Sequence, residues 1–362
     1  MKKHAFFELR VSVDIGCRNH NVAIGLSSGE VLDEFSIPHV PDGFRQFFAR
    51  VEKQALRFGC PVSVAMEGYN GYARPLDTLV RAHDYRLFNI NNLKLARFKE
   101  IFPAAAKTDA LDARKGLELF QLRDHLPMAG DVLQEVRATP RENDILKRLS
   151  RRRRRLVDER TRLLNNLQAD LQAVCPGLLE ITGRADNLWF LRLLTSTDDL
   201  RKLARLRRSS LLKIAGIGVT YASVICAWQK RAQFSDEVEW VGEMIQEDAA
   251  RVLELHDRIH SLEARMETVA RDSSIAKTLS TIPGFGPVCT AELAGEIGTI
   301  ERFGTEESLA LYVGMANLDN SSGKQRGSKP PRQVNTRAKA AMMVAVDRHR
   351  KQVPLSQKYY EK

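Results

Sequence analysis

Over the first 125 residues, apolar and polar positions fall into short blocks, each of which reads as one element. Val11-Ser-Val-Asp14-Ile-Gly is a short β-rich run, followed by Asn21 to Leu26 and Val31 to Ile37, with Ser27-Ser28-Gly29 as the turn between the last two. Three such runs joined by short turns predict an antiparallel meander. From Asp42 to Gly59 the period changes. Phe44, Phe47, Phe48, Val51 and Ala55 recur at helical spacing, and Gly59 is placed to stop the helix. Val62 to Met66 is a further β run that ends at Glu67. Residues 72–83 read as helix, 85–90 as strand and Asp109 to Arg123 as helix.

A second regime begins near Thr139-Pro140-Arg-Glu142, which offers a cap residue, a proline for the first helical position and a glutamate at the third. Ile145, Leu149, Leu156, Leu163, Leu167, Leu171 and Val174 then recur in steps of mostly seven or four, and Pro176 ends the run. Val238, Val241, Ile245, Val252, Leu255, Ile259, Leu262, Met266 and Val269 form a second such run. Two long heptad helices predict an antiparallel coiled-coil hairpin or a dimer arm. A basic insertion, 184–234, lies between them, and 275–362 mixes glycine turns with short helices. The expected domains are therefore 1–125, 138–274 and 275–362. Ile214-Ala-Gly-Ile-Gly218 and Ile282-Pro-Gly-Phe-Gly286 share one pattern, that of the hairpin in a helix-hairpin-helix unit. There Gly284 and Gly286 would let backbone N–H groups approach a phosphate; a tight turn between packed helices is the alternative.

The order β-β-β-α-β-α-β-α is that of the ribonuclease H-like fold, so the expected class is α/β followed by mostly α. Four carboxylates stand out on it. Asp14 lies within the first strand run, and a buried unpaired carboxylate there would cost several kcal/mol, so it needs a partner. Glu67 ends the later strand run, while Asp109 and Asp112, three apart, share one helix face. Four hard oxygen donors suit Mg²⁺ or Mn²⁺, and two such ions ~3.5–4 Å apart would act on a phosphodiester.

Composition sharpens this picture. The chain has 362 residues, 43% of them hydrophobic, which suits a globular protein. No apolar run approaches the ~18 residues a membrane span needs. Five cysteines without CxxC spacing argue against a disulfide framework or a structural zinc, and fit a cytoplasmic protein. The net charge of +11 is concentrated: 137–160 carries +6, 201–213 carries +6 and 324–351 carries +8, so the remainder is net −9. Basic blocks on an otherwise acidic chain read as polyanion-binding surfaces. Arg151, Arg152, Arg153, Arg154 and Arg155 cover every face of a helix, so one of them breaks the apolar seam, and nucleic-acid backbone is the expected neutralising partner.

Three segments carry a resemblance to a known family: Val11-Ser-Val-Asp14-Ile-Gly, Met66-Glu67-Gly-Tyr-Asn-Gly-Tyr72 and Lys107-Thr-Asp109-Ala-Leu-Asp112-Ala-Arg114. Together they resemble the Asp-Glu-Asp-Asp signature of a group of insertion-sequence transposases that includes bridge-RNA-guided recombinases and Piv-type invertases. Ile282-Pro-Gly-Phe-Gly286, Phe303, Leu311-Tyr-Val-Gly314 and Ser321-Ser322-Gly323 follow the order of that family's second transposase domain. The resemblance covers about 10–125 and 275–350; Asn70 stands where the family usually has glycine, and no proline lies near Asn317. It implies a RuvC-like domain binding Mg²⁺ through Asp14, Glu67, Asp109 and Asp112. It also implies a nucleophilic serine, Ser322 or its neighbour Ser321, forming a transient phosphoserine link to DNA. Lys324 and Arg326 are placed to hold the scissile phosphate. The implied partners are donor and target double-stranded DNA, a structured non-coding guide RNA and further copies of the chain in a dimer or tetramer, with no membrane. A RuvC-like nuclease that hydrolyses branched DNA, and a non-enzymatic nucleic-acid scaffold, are the competing readings.

Overall fold

The structure is a computed structural model that describes residues 7–67, 71–100, 109–125, 132–321, 326–332 and 334–361, with backbone alone at 109 and 110. It divides into two compact units, 1–138 and 139–362.

The first unit is a mixed α/β layer. Its elements are β1 (Leu9–Ile15), β2 (Asn19–Leu26), β3 (Val31–Pro38), α1 (Pro41–Phe58), β4 (Val62–Glu67), α2 (Arg74–Ala82), β5 (Arg86–Ile90), α3 (Asn92–Lys99), α4 (Asp109–Gln121) and β6 (Leu133–Glu135). The sheet order is β3-β2-β1-β4-β5-β6, with β1, β4 and β5 parallel to one another and the other pairings antiparallel. Alternation sorts the two faces. Leu9, Val11 and Val13 of β1 meet Phe44, Phe47, Phe48 and Val51 of α1 on one side. A buried side chain of this size contributes about 1.5–3 kcal/mol. On the other side Ala23 packs against Ala113 and Leu117 of α4. Gly59 stops α1 in the left-handed region, φ 60°, as its position suggested. Two elements, α3 and β6, were not foreseen.

Arg10 and Ser12 point to the α4 face. Arg10 is 1% exposed. It donates to the carbonyls of Phe120 (2.6 Å) and Gln121 (3.0 Å) and pairs with Glu8 (3.2 Å) and Asp124. One guanidinium therefore ties the end of α4 to the sheet. Removing it leaves the buried Glu8 carboxylate short of a partner. Arg10→Met is expected to destabilise the chain by about 3–5 kcal/mol. Urea melting should show the loss, and hydrogen exchange should localise it to β1 and α4; wild-type protection at both would refute the assignment.

The second unit is helical: α5 (Arg141–Val174), α6 (Leu188–Leu194), α7 (Arg208–Leu211), α8 (Val219–Gln229), α9 (Val238–Ala270), α10 (Ser274–Ser280), α11 (Pro287–Ile297), α12 (Glu306–Tyr312), the short strands β7 (Leu318–Asp319) and β8 (Ser328–Lys329), α13 (Thr336–Gln352) and α14 (Pro354–Tyr360). Helices α5 and α9 run antiparallel: Arg153 pairs with Glu263 and, six residues on, Glu159 pairs with Arg251. Leu156, Leu255 and Ile259 fill the seam between these pairs. Two local expectations are corrected. Pro140 is extended (ψ 139°) and caps α5 from outside rather than opening it, its carbonyl accepting from Asn143 and Asp144. Leu146, not Ile145, carries the first buried apolar position, because α11 also packs on this end of α5. Gly295 of α11 has no room for a Cβ against the Lys147 backbone.

Candidate active site

The two central strands bring the first pair of carboxylates together. In the parallel β1/β4 register Asp14 lies opposite Glu67, at the C-terminal ends of both strands. β1 begins at Leu9, so Asp14 is its penultimate residue and half-buried, not a mid-strand charge sealed in the core.

Helix α4 crosses the same face in the opposite sense. Arg10 reaches Phe120 and Gln121, and Gly116 is packed so closely on Ser12 Oγ that a Cβ would not fit. Two strand residues span about 6.7 Å and four helical residues about 6 Å. Each two-residue step along β1 therefore moves four residues back along α4, and the next step brings Asp14 to the level of Asp112. Asp109 opens α4 one turn earlier; its side chain lies outside the described residues.

Lys99 ends α3 and enters this cluster. Its ammonium donates to Glu67 Oε2 at 3.1 Å and stands 3.1 Å from Asp112 Oδ1. Burial acts to lower the Lys99 pKa, but Glu67 and Asp112 more than offset it, and the balance raises it above the ordinary lysine value. Lys99 was missed because α3 was missed. The available signal was Asn91, whose side chain accepts from Lys94 N at 3.2 Å and caps the helix. Among the described residues no three His, Cys, Asp or Glu side chains close on one point as they stand. A lysine cation bridges two of them. Hard oxygen donors gathered around a positive charge nevertheless fit a Mg²⁺- or Mn²⁺-type ion.

The arginine run behaves differently from the expectation. Arg151 forms a bidentate pair with the fully buried Glu296 (2.7 and 2.9 Å), Arg153 pairs with Glu263 (2.6 Å) and Arg154 with Glu292 (3.2 Å). Burial alone would raise the Glu296 pKa, but hydrogen bonds from Arg151 and Asn335 outweigh it and hold the carboxyl below its usual range. At Glu292 burial wins over Arg154 and the pKa rises. Carboxylates of the same chain thus neutralise three of the five arginines, and Arg153 ties α5 to α9 through Glu263. Arg152 and Arg155 are exposed, with no ion-pair partner among the described residues. The doubly substituted Arg152→Ala, Arg155→Ala chain is expected to lower the slope of log K against log salt on duplex DNA by about two. Fluorescence anisotropy at several salt concentrations reads this directly, and an unchanged slope would remove both residues from the interface.

Gly284 has φ +88° and a Cβ there would lie 2.6 Å from His349 Cα, so its smallness admits the backbone of α13. Gly286 caps α11, and a Cβ there would lie 3.2 Å from Arg348 Nη1. Ser322 and Lys324 lie outside the described residues, and Arg326 is exposed. What frames them is described. β7 pairs with β8, Asn320 N donates to Gly327 O (2.8 Å), and Asn335 N closes the hairpin base on Tyr312 O (2.8 Å). The Asn335 amide donates to Glu296 Oε2 (2.8 Å) and Tyr312 Oη (2.7 Å), rooting that base on α11.

Residues 11–176 match the DEDD transposase model of IS110, and 276–361 match the model of the transposase IS116/IS110/IS902 family. Curated relatives extend the likeness along the chain. An uncharacterized 43.6 kDa protein of insertion element IS110 from Streptomyces coelicolor is 24% identical over 361 residues, covering 97% of this chain and 86% of that protein. An uncharacterized 44.8 kDa protein of IS116 from Streptomyces clavuligerus is 26% identical over 270 residues, 72% of this chain and 65% of that protein. An uncharacterized 42 kDa protein of IS900 from Mycobacterium paratuberculosis is 26% identical over 312 residues, 84% and 76% of the two chains. Models of one enzyme class thus match both ends of the chain, a class that cuts and rejoins DNA. The chain belongs to the IS110/IS116/IS902 family of insertion-sequence transposases. Among the described residues no helix is long and apolar enough to cross a membrane.

Proposed function

We propose that the first unit is a RuvC-like, ribonuclease H-fold nuclease domain and that the chain exchanges DNA strands through a phosphoserine. The observation that carries the first part is the pairing of Asp14 with Glu67 at the ends of neighbouring parallel strands, with Asp112 on the helix that crosses that face. Asp14, Glu67, Asp109 and Asp112 would hold Mg²⁺ or Mn²⁺. When bound, such an ion polarises the scissile phosphate and stabilises the leaving oxygen. Arg10 and the close Ser12–Gly116 contact support keeping Asp112 level with Asp14.

Ser322 is the proposed nucleophile. Its Oγ forms a bond to phosphorus, the bond to a deoxyribose oxygen breaks, and that oxygen leaves as a hydroxyl. A hydroxyl from the other DNA partner reverses the step and releases the serine. Hydrogen bonds among Tyr312, Asn335 and Glu296 anchor described residues on either side of the β7–β8 pair to α11. Lys324 and Arg326, with exposed Arg152 and Arg155, supply positive charge toward DNA. The reading divides the chain into a nuclease domain (1–125), a coiled-coil region (138–274) and a serine-bearing domain (275–362). It includes a homo-oligomer and a structured guide RNA, both resting on the family resemblance.

The test is recombination in cells that carry the chain with and without the DNA that flanks its own element. Recombinant junctions are expected only when the flank is transcribed. Junctions formed equally well without it would remove RNA guidance, and metal-dependent breaks without any junctions would support the hydrolytic nuclease instead.

A further inference from the structure

The carboxylate cluster already contains a cation of the chain's own. Lys99 is 18% exposed, and its ammonium lies midway between two carboxylate oxygens, 3.1 Å from Glu67 Oε2 and 3.1 Å from Asp112 Oδ1. A surface lysine would gain little from such a pair, but this one bridges acids on two different elements, β4 and α4. We propose that the Lys99 ammonium holds the cation position between Glu67 and Asp112 while no metal is bound, and that a divalent ion enters there only by displacing it. The inference rests on the metal-binding reading of these acids.

The argument is one of distance and charge. Oxygen ligands of Mg²⁺ lie at about 2.0–2.1 Å. An ion held by either of the two bridged oxygens would thus stand no more than about 5.2 Å from the ammonium nitrogen where it now lies. Three positive charges at that spacing in a half-buried site repel, and the oxygen lone pairs that face the ammonium are the ones a metal would take. The flexible four-carbon stem lets lysine withdraw without moving α3. Glu67 and Asp112 then never face each other uncompensated. The acids stay gathered in the metal-free chain, and the cost appears as weaker metal binding.

Calorimetric titration of the full-length chain with Mn²⁺ tests this without any reaction. Lys99→Met is expected to bind Mn²⁺ about tenfold tighter than wild type or more, and Lys99→Arg, which keeps the charge, to bind near the wild-type affinity. In EDTA, Lys99→Met should melt at a lower temperature than wild type, and Mn²⁺ should restore it. Lys99→Gln should match Lys99→Met and replaces it if the methionine chain does not fold. Equal or weaker Mn²⁺ binding by the neutral variants would overturn the inference and leave the metal site standing. No binding by any chain, wild type included, would overturn both.

Discussion

Glu67→Gln and Asp112→Asn should each abolish strand cleavage, by about a thousandfold or more, while duplex affinity in EDTA stays near wild type. Each substitution keeps the shape of the side chain and removes one negative charge and one ligand oxygen. Glu67 closes β4 in register with Asp14, so backbone pairing places it beside Asp14 while Lys99 contacts its carboxylate at 3.1 Å. Asp112 is fixed by α4, which Arg10 and the Ser12–Gly116 contact hold against β1. Neither acid supports the hydrophobic core, so the variants should keep the fold, apart from a small loss where Lys99 is left with one partner. The check is single-turnover cleavage of a duplex carrying the element's ends, in Mg²⁺ and in Mn²⁺, with anisotropy binding measured alongside. Cleavage near the wild-type rate in either variant would take the acidic cluster out of the chemistry.

Ser322→Ala is expected to remove strand exchange, with Ser321→Ala close to wild type. Deleting the attacking atom of a covalent mechanism costs far more than deleting a positioning contact, commonly about 10³-fold or beyond. The acidic site remains intact in Ser322→Ala, so slow hydrolytic nicking can persist while joining is lost. That split between breaking and joining distinguishes a nucleophile from a loop residue. Loss of joining in Ser321→Ala instead would move the assignment by one position. Equal joining in both variants would end the serine mechanism for this chain.

How much of this could be read from the residues differs from place to place. The meander, α1 and its Gly59 stop, and the long apolar repeats of α5 and α9 were legible because each rests on a local period. Asp14 and Glu67 were legible as candidates because a charge within or at the end of an apolar run is locally anomalous, and Asp112 because it shares a helix face with Asp109. Their meeting depends on the order β2-β1-β4-β5 and on the angle at which α4 crosses β1, which are long-range properties. Lys99 and Arg10 were not legible. Lys99 bonds Glu67, 32 residues away, and Arg10, besides its neighbour Glu8, bonds the Phe120 carbonyl 110 residues away. The ion pairs of the run 151–155 were hidden for the same reason: Glu263, Glu292 and Glu296 come more than a hundred residues later. The close approach of α13 to Gly284 was not legible, because a glycine that admits a helix backbone and one that admits a phosphate leave the same local trace.

The most direct measurement is a covalent-adduct trap. The chain would be expressed with its native flanking DNA and lysed in detergent, and protein that carries DNA through strong denaturation would be isolated. Nuclease digestion and mass spectrometry would then locate the residual nucleotide. A nucleotide on Ser322, lost in Ser322→Ala and in Asp109→Ala, is the predicted result. Metal-dependent DNA breaks with no adduct, unchanged by Ser322→Ala, would contradict it.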